Sequence, residues 1–257
     1  MNLSLALVFT APRAAAYFAC GILAGIFNAI AGGGTLITFP TLLAFGVPAI
    51  TANVTSSVGI VPSYLGGVHG FRDELTNQLG RIRRLLPVAL AGGATGAILL
   101  LTTPAASFRL VAPWLVAFAT VLFAVQPFVV KRLSSLHDEH PTRKVLVQVG
   151  TFAVAIYGGY FGAGMGIMLL AVLGIGLTES LVRINGLRAV LSILICTLSA
   201  TIFIIHGHVF WAAALCIGLG TLFGGTVGAR IARFLPSMWL RVVVVVFGTA
   251  TTIGLFL

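Results

Sequence analysis

Three consecutive glycines, Gly32, Gly33 and Gly34, interrupt the apolar stretch FNAIAGGGTLITFP, Phe27–Pro40. Gly162 and Gly164, with Gly166 just beyond, interrupt a second one, IYGGYFGAGMGIMLL. Breaks inside apolar sequence leave main-chain N–H and C=O groups unpaired, which is tolerated at membrane depth only where protein or a water-filled cavity satisfies them. Glycine allows a tight reversal there and lets a ligand approach the main chain closely. A helix that starts after each break aims its free N–H groups and about half a positive charge back at the break. That arrangement holds anions.

Nearby hydroxyls and amides extend the donor set. Asn28, Thr35 and Thr38 flank the first break, and ANVTSS follows with Asn53, Thr55, Ser56 and Ser57. The matching second-half segment, RINGLR, carries Asn185 and puts Arg188 where the first half has Ser56. A planar, permanently charged guanidinium suits oxyanions of sulfur or phosphorus and carboxylates. The expected binding set is therefore Asn28, Gly32, Gly33, Gly34, Thr35, Asn53, Thr55, Ser56, Gly162, Gly164, Gly166, Asn185 and Arg188. In the competing reading the glycines serve close helix packing, the hydroxyls bond their own helices, and the arginines sit among lipid headgroups.

Catalytic chemistry finds little to work with. The acids are Asp73, Glu74, Asp138, Glu139 and Glu179, all in expected loops or segment ends, and none stands mid-span as a proton relay requires. The glycine breaks carry no carboxylate, cysteine or histidine, so an intramembrane phosphatase-type enzyme, which needs an acid–base or nucleophile cluster, is disfavoured. Cys20, Cys196 and Cys216 lack ligand-like spacing and read as small buried hydrophobes, implying no metal, disulfide framework or cofactor. His69, His206 and His208 align between the halves and read as interfacial.

The elements that must position these residues are membrane helices. Of 257 residues 59% are hydrophobic and 8% charged, so the chain reads as an all-α polytopic membrane protein. Apolar runs recur at about 15–46, 53–69, 85–103, 109–130, 145–176, 187–205, 209–230 and 239–257, several near the roughly 20 residues that cross a bilayer. The start, MNLSLALVFTAPR, lacks a basic region ahead of its apolar residues and does not read as a cleaved signal peptide. A net charge of +10 is scattered between the apolar runs, which points to membrane topology and not to nucleic acid.

The chain repeats itself. A shift of 130 residues sets Ile26–Val47 on Ile156–Leu177, and a shift of 132 sets Asn53 on Asn185, Gly92 and Gly93 on Gly224 and Gly225, and Gly96 on Gly228. Two repeats follow, 1–130 and 145–257, joined by a cytoplasmic linker at 131–144. If each broken run crosses the membrane once, Lys and Arg divide nine against six between the two sides. If each is a re-entrant or split pair followed by three spans, the division is thirteen against two, with only Arg13 and Arg109 on the poor side. An odd number of crossings per half makes the repeats inverted. Length favours re-entrance, since Ala15–Ile30 reaches about 24 Å and Gly34–Phe45 about 18 Å. In inverted repeats the two breaks meet near the midplane.

The segments GILAGIFNAIAGGGTLITFPTLLAFGVPAITANVTSSV, YGGYFGAGMGIMLLAVLGIGL and GTLFGGTVGARIARFLP resemble the TauE/SafE sulfite exporter family, also called the 4-toluene sulfonate uptake permease family. The resemblance runs from about Tyr17 to the C-terminus. It implies a multi-pass prokaryotic inner-membrane transporter for small sulfur-containing anions such as sulfite, sulfoacetate or other organosulfonates, surrounded by membrane lipid. Asn53-Val54-Thr55-Ser56 is similar to the family's pattern, whereas Gly186-Leu187-Arg188 departs from the threonine and serine often found there. A carrier that alternates access and a passive anion channel need the same lining, so both stay open. So do direction, exact substrate, oligomeric state and the choice between proton and sodium as coupling ion.

Overall fold

The computed structural model describes residues 10–70, 78–133, 143–177, 179–231 and 237–256. Asp73, Glu74, Asp138, Glu139, most of the linker and the side chain of His69 lie outside this set. Ten helices and no strand occur among the described residues. They are α1 (Ala11–Ala31), α2 (Thr35–Ala44), α3 (Ala49–Gly70), α4 (Leu79–Thr102), α5 (Ala105–Leu133), α6 (Arg143–Tyr160), α7 (Met165–Gly176), α8 (Leu181–His206), α9 (Trp211–Ile231) and α10 (Ser237–Phe256). Four are long and apolar enough to cross a membrane, at Leu79–Thr102, Ala105–Arg132, Leu181–His206 and Trp211–Gly228.

Both glycine breaks are hairpins. Pro12 opens α1 in its first turn, where a missing N–H is harmless. Gly32 closes the helix at φ 77° and ψ 33°, a left-handed conformation that glycine adopts without strain. The chain then doubles back. A Cβ on Gly34 would meet the Ala24 carbonyl oxygen at 2.6 Å, Cys20 Sγ donates to Thr41 Oγ1 at 3.3 Å, and the Tyr17 and Phe45 rings meet edge to face at 5.2 Å. In the second half Gly162 and Gly164 take φ of 82° and 78°. There Gly158 faces Met165, Gly150 faces Val172, and Gly176 faces the Arg143 carbonyl.

The limbs are unequal. Sequence starts the first limb at Ala15, but α1 begins at Ala11 and its 21 residues reach about 32 Å, enough to span. The returning limbs, α2 and α7, have 10 and 12 residues and reach only about 15 and 18 Å.

Packing runs chiefly across the halves. α1 lies along α9, and α6 lies along α4, each pair meeting through small residues. A Cβ on Gly25 would stand 2.7 Å from the Gly225 nitrogen, and one on Gly92 would stand 2.6 Å from the Phe152 carbonyl oxygen. Small residues let backbones approach closely, which drives helix association in lipid. Gly92, Gly93, Gly96, Gly224, Gly225 and Gly228 thus repeat because both halves use them at such seams.

Helix directions follow from the same contacts. On α3, residues 55, 59 and 63 meet Phe210 just before α9 and then 221 and 225 within it, so the two run parallel. α4 and α8 also run parallel, with Gln78 meeting Arg183 and Gly93 meeting Ser199. α3 and α8 run opposite, since Val54 meets Gly207 while Ser63 and Tyr64 stand beside Arg188 and Ser192. The starts of α4 and α8 share one end, where Glu179 binds Arg81 at 2.5 Å and Arg183 at 2.6 Å. The opposite end gathers the start of α3, the end of α4, the start of α5 and the α8–α9 connection.

Thr221 Oγ1 donates to the Gly59 carbonyl at 2.7 Å, tying α9 to α3. Thr221→Val keeps the shape and removes this bond. Unfolding in mixed micelles should register a loss of about 0.6 kcal/mol, the average for interhelical bonds in membrane proteins, with transport unaffected.

Large apolar side chains such as Leu110, Trp114, Val121 and Phe128 of α5 and Leu215 and Leu219 of α9 are exposed. So broad an apolar exterior suits lipid and not water.

Candidate functional site

The two breaks meet. A Cβ on Gly32 would stand 3.4 Å from Gly166 Cα and 3.3 Å from Arg188 Nη1, so the end of α1, the first turn of α7 and a side chain of α8 converge. A cavity of about 20 Å³ lies between them, lined by Asn28, Gly32, Gly166 and Arg188 together with Ser63, Tyr64 and Ser192. That volume holds roughly one water molecule.

Arg188 dominates the electrostatics. It is 8% exposed, and its Nε has no hydrogen-bond partner. Glu179, the only acid among the described residues, is engaged with Arg81 and Arg183 at the helix ends. A buried charge without a partner costs several kcal/mol, roughly, so a bound anion would relieve a demand that the protein leaves unmet. Gly166 adds main-chain polarity from the first turn of α7, where the neighbouring Met165, Ile167 and Met168 N–H groups are already taken by the Gly162 and Gly164 carbonyls. Asn28 donates to Ser63 Oγ at 2.7 Å, which fixes its amide at the cavity wall.

Arg188 enters from within a helix. RINGLR and ANVTSS are both helical, in the opening turns of α8 and α3. Ser180 caps α8, its hydroxyl accepting from the Arg183 N–H at 3.4 Å, and so starts the helix before the polar cluster. Arg188 therefore sits seven residues into α8, about 10 Å from its start.

The other expected residues occupy different surroundings. Ser56 Oγ lies 2.5 Å from Thr38 Oγ1, joining α3 to α2. Asn53 donates to the Tyr160 carbonyl at 2.8 Å, and its Oδ1 is buried without a partner. Thr55 Oγ1 accepts from the Phe210 N–H at 3.0 Å, and Asn185 donates to Leu181 of its own helix at 2.9 Å. Thr35 lies beside Gly162, its Oγ1 3.8 Å from where a Cβ would stand. Gly33 faces the Phe123 ring, Gly34 faces Ala24 and Ile60, and Gly164 faces Ala119 and Leu122. Of the thirteen expected residues, four line the cavity: Asn28, Gly32, Gly166 and Arg188.

Ser63, Tyr64 and Ser192 escaped sequence reading. Ser192 carried a signal, standing one helical turn beyond Arg188 on the same face.

Comparison with known proteins gives a consistent picture. The family model described as "Sulfite exporter TauE/SafE" matches residues 17–255. A "Probable membrane transporter protein" of Haemophilus influenzae is 26% identical over 243 residues, covering 91% of each chain. "Probable membrane transporter protein ORF9" of Sinorhizobium sp is 25% identical, covering 93% of this chain and 90% of that one. "Probable membrane transporter protein YfcA" of Escherichia coli K12 is 24% identical, covering 89% and 84%. No solved structure matches.

Proposed function

The chain belongs to the sulfite exporter TauE/SafE family, and from that premise we propose that it carries sulfite, sulfoacetate or other organosulfonates across the prokaryotic inner membrane by alternating access around the Arg188 cavity. The observation that carries this reading is a buried guanidinium without an anionic partner among the described residues, facing the glycines of both helix breaks.

An inverted repeat is supported by the helix directions, with α3 and α8 opposed while α1 follows α9 and α6 follows α4. Re-entrance of α2 and α7 is supported by their short lengths and by their return along α1 and α6. The end that carries the Arg81–Glu179–Arg183 pairs is cytoplasmic, on the excess of Lys and Arg there. A cavity of 20 Å³ fits an occluded state, which one half rocking against the other would widen for a sulfur oxyanion. The lining, with amide, hydroxyl and guanidinium donors and no carboxylate, fits binding better than acid–base catalysis.

The test is uptake of labelled sulfite into proteoliposomes, with sulfoacetate, thiosulfate, sulfate and acetate as competitors and with proton or sodium gradients imposed in turn. Saturable uptake, blocked by sulfur anions and spared by acetate, is the expected result. Absence of uptake under every gradient overturns the substrate class, and single-channel currents overturn the carrier.

A further inference from the structure

At the end of the molecule opposite the Glu179 ion pairs lies a second cavity, of about 350 Å³, large against the 20 Å³ beside Arg188. Arg109 from the first turns of α5, His206 from the end of α8 and His208 from the α8–α9 connection line it, facing Ala49, Ile50 and Thr51 at the start of α3. All three basic side chains are exposed, and Arg109 makes no salt bridge among the described residues. No acid occurs on any lining element among the described residues.

We infer that this cavity is a recruiting site for small sulfonate-type or other oxyanions on the extracytoplasmic face. The anion class rests on the proposed function; the existence of an anion site rests on the cavity itself. Arg109 and Arg13 are the only Lys or Arg residues assigned to this face, and Arg13 stands over the Phe45 ring. Arginine on the side that a membrane protein otherwise keeps poor in positive charge runs against the topology signal. At the wall of a concave pocket it has a use, because a cleft lined by one sign of charge focuses the field and raises the local concentration of counter-ions. Guanidinium and imidazole N–H groups converging on that pocket supply directional donors. The first turn of α3, at Ala49, Ile50 and Thr51, lines the same pocket. At 350 Å³ the space lies within the range of small-molecule pockets, so an anion can rest there still partly hydrated before meeting the narrower Arg188 cavity.

The test reads the face without requiring transport. In a Thr51→Cys, Cys216→Ser protein reconstituted in nanodiscs, the thiol is modified in parallel by a sulfonate-bearing methanethiosulfonate and by its trimethylammonium counterpart. The anionic-to-cationic rate ratio, normalised to a free thiol, should exceed one by at least about fivefold and fall as salt rises. It should drop toward one in an Arg109→Gln, His206→Asn, His208→Asn variant and persist in Arg109→Lys; sulfoacetate should slow the reaction. A normalised ratio near one, or a ratio that the triple variant leaves unchanged, overturns the site. If the ratio behaves as expected while sulfite uptake is absent, the anion site stands and the transport reading falls. If uptake is present with a ratio near one, the reverse holds.

Discussion

Arg188→Met abolishes sulfite uptake and leaves the purified protein at least as stable as the parent. Each hydrogen bond to a charged group contributes about 1.5–3 kcal/mol, so losing two lowers anion affinity by roughly two to four orders of magnitude. Stability moves the other way because the guanidinium is buried with no acid beside it among the described residues. Replacing a buried charge by an apolar side chain of similar volume is often neutral or stabilising, by about 1–4 kcal/mol. Saturating sulfite, at about 100 times its dissociation constant, should stabilise the parent by about 2.7 kcal/mol and the variant not at all. Thermal unfolding with and without sulfite measures both effects. A variant that loses stability along with uptake would make Arg188 a structural residue.

Gly32→Ala should reduce uptake at least tenfold, through the space it takes and not only the strain it causes. Its methyl group would stand 3.3 Å from Arg188 Nη1 and 3.4 Å from Gly166 Cα, closing a cavity that already holds little more than one water. A left-handed alanine also costs about 1–2 kcal/mol. Gly46 separates the two causes: its φ is 83°, and a Cβ there meets nothing within 4 Å. Gly46→Ala should therefore lose similar stability and keep its transport. Equal loss of transport in both variants would assign the effect to backbone strain. Gly33→Val probes the middle glycine of the first break. The Phe123 ring at that position makes overpacking the larger consequence, so that variant would report on folding.

The breaks were legible because glycine clusters in apolar sequence have few physical explanations. The positions of helix starts were less so. Ser180 and Pro12 extend α8 and α1 beyond their apolar runs, and this sets Arg188 in a buried helical turn. The hydroxyls of ANVTSS look like site residues by composition, yet Thr55 and Ser56 hold helices together. Partner choice among polar side chains depends on which helices cross, and no local pattern specifies that. Ser63 and Tyr64 reach the cavity only because α3 and α8 run opposite to each other.

The most direct test of the account is to locate the anion. Selenite has the shape and charge of sulfite and scatters anomalously, so a crystal of the full chain grown in selenite reports its position without inference from rates. The predicted peak lies between the Arg188 guanidinium and the Gly166 main chain, with the cavity wider than in the anion-free protein. Anomalous density confined to other positions at saturating selenite, with Arg188 still unpartnered, would contradict the central claim.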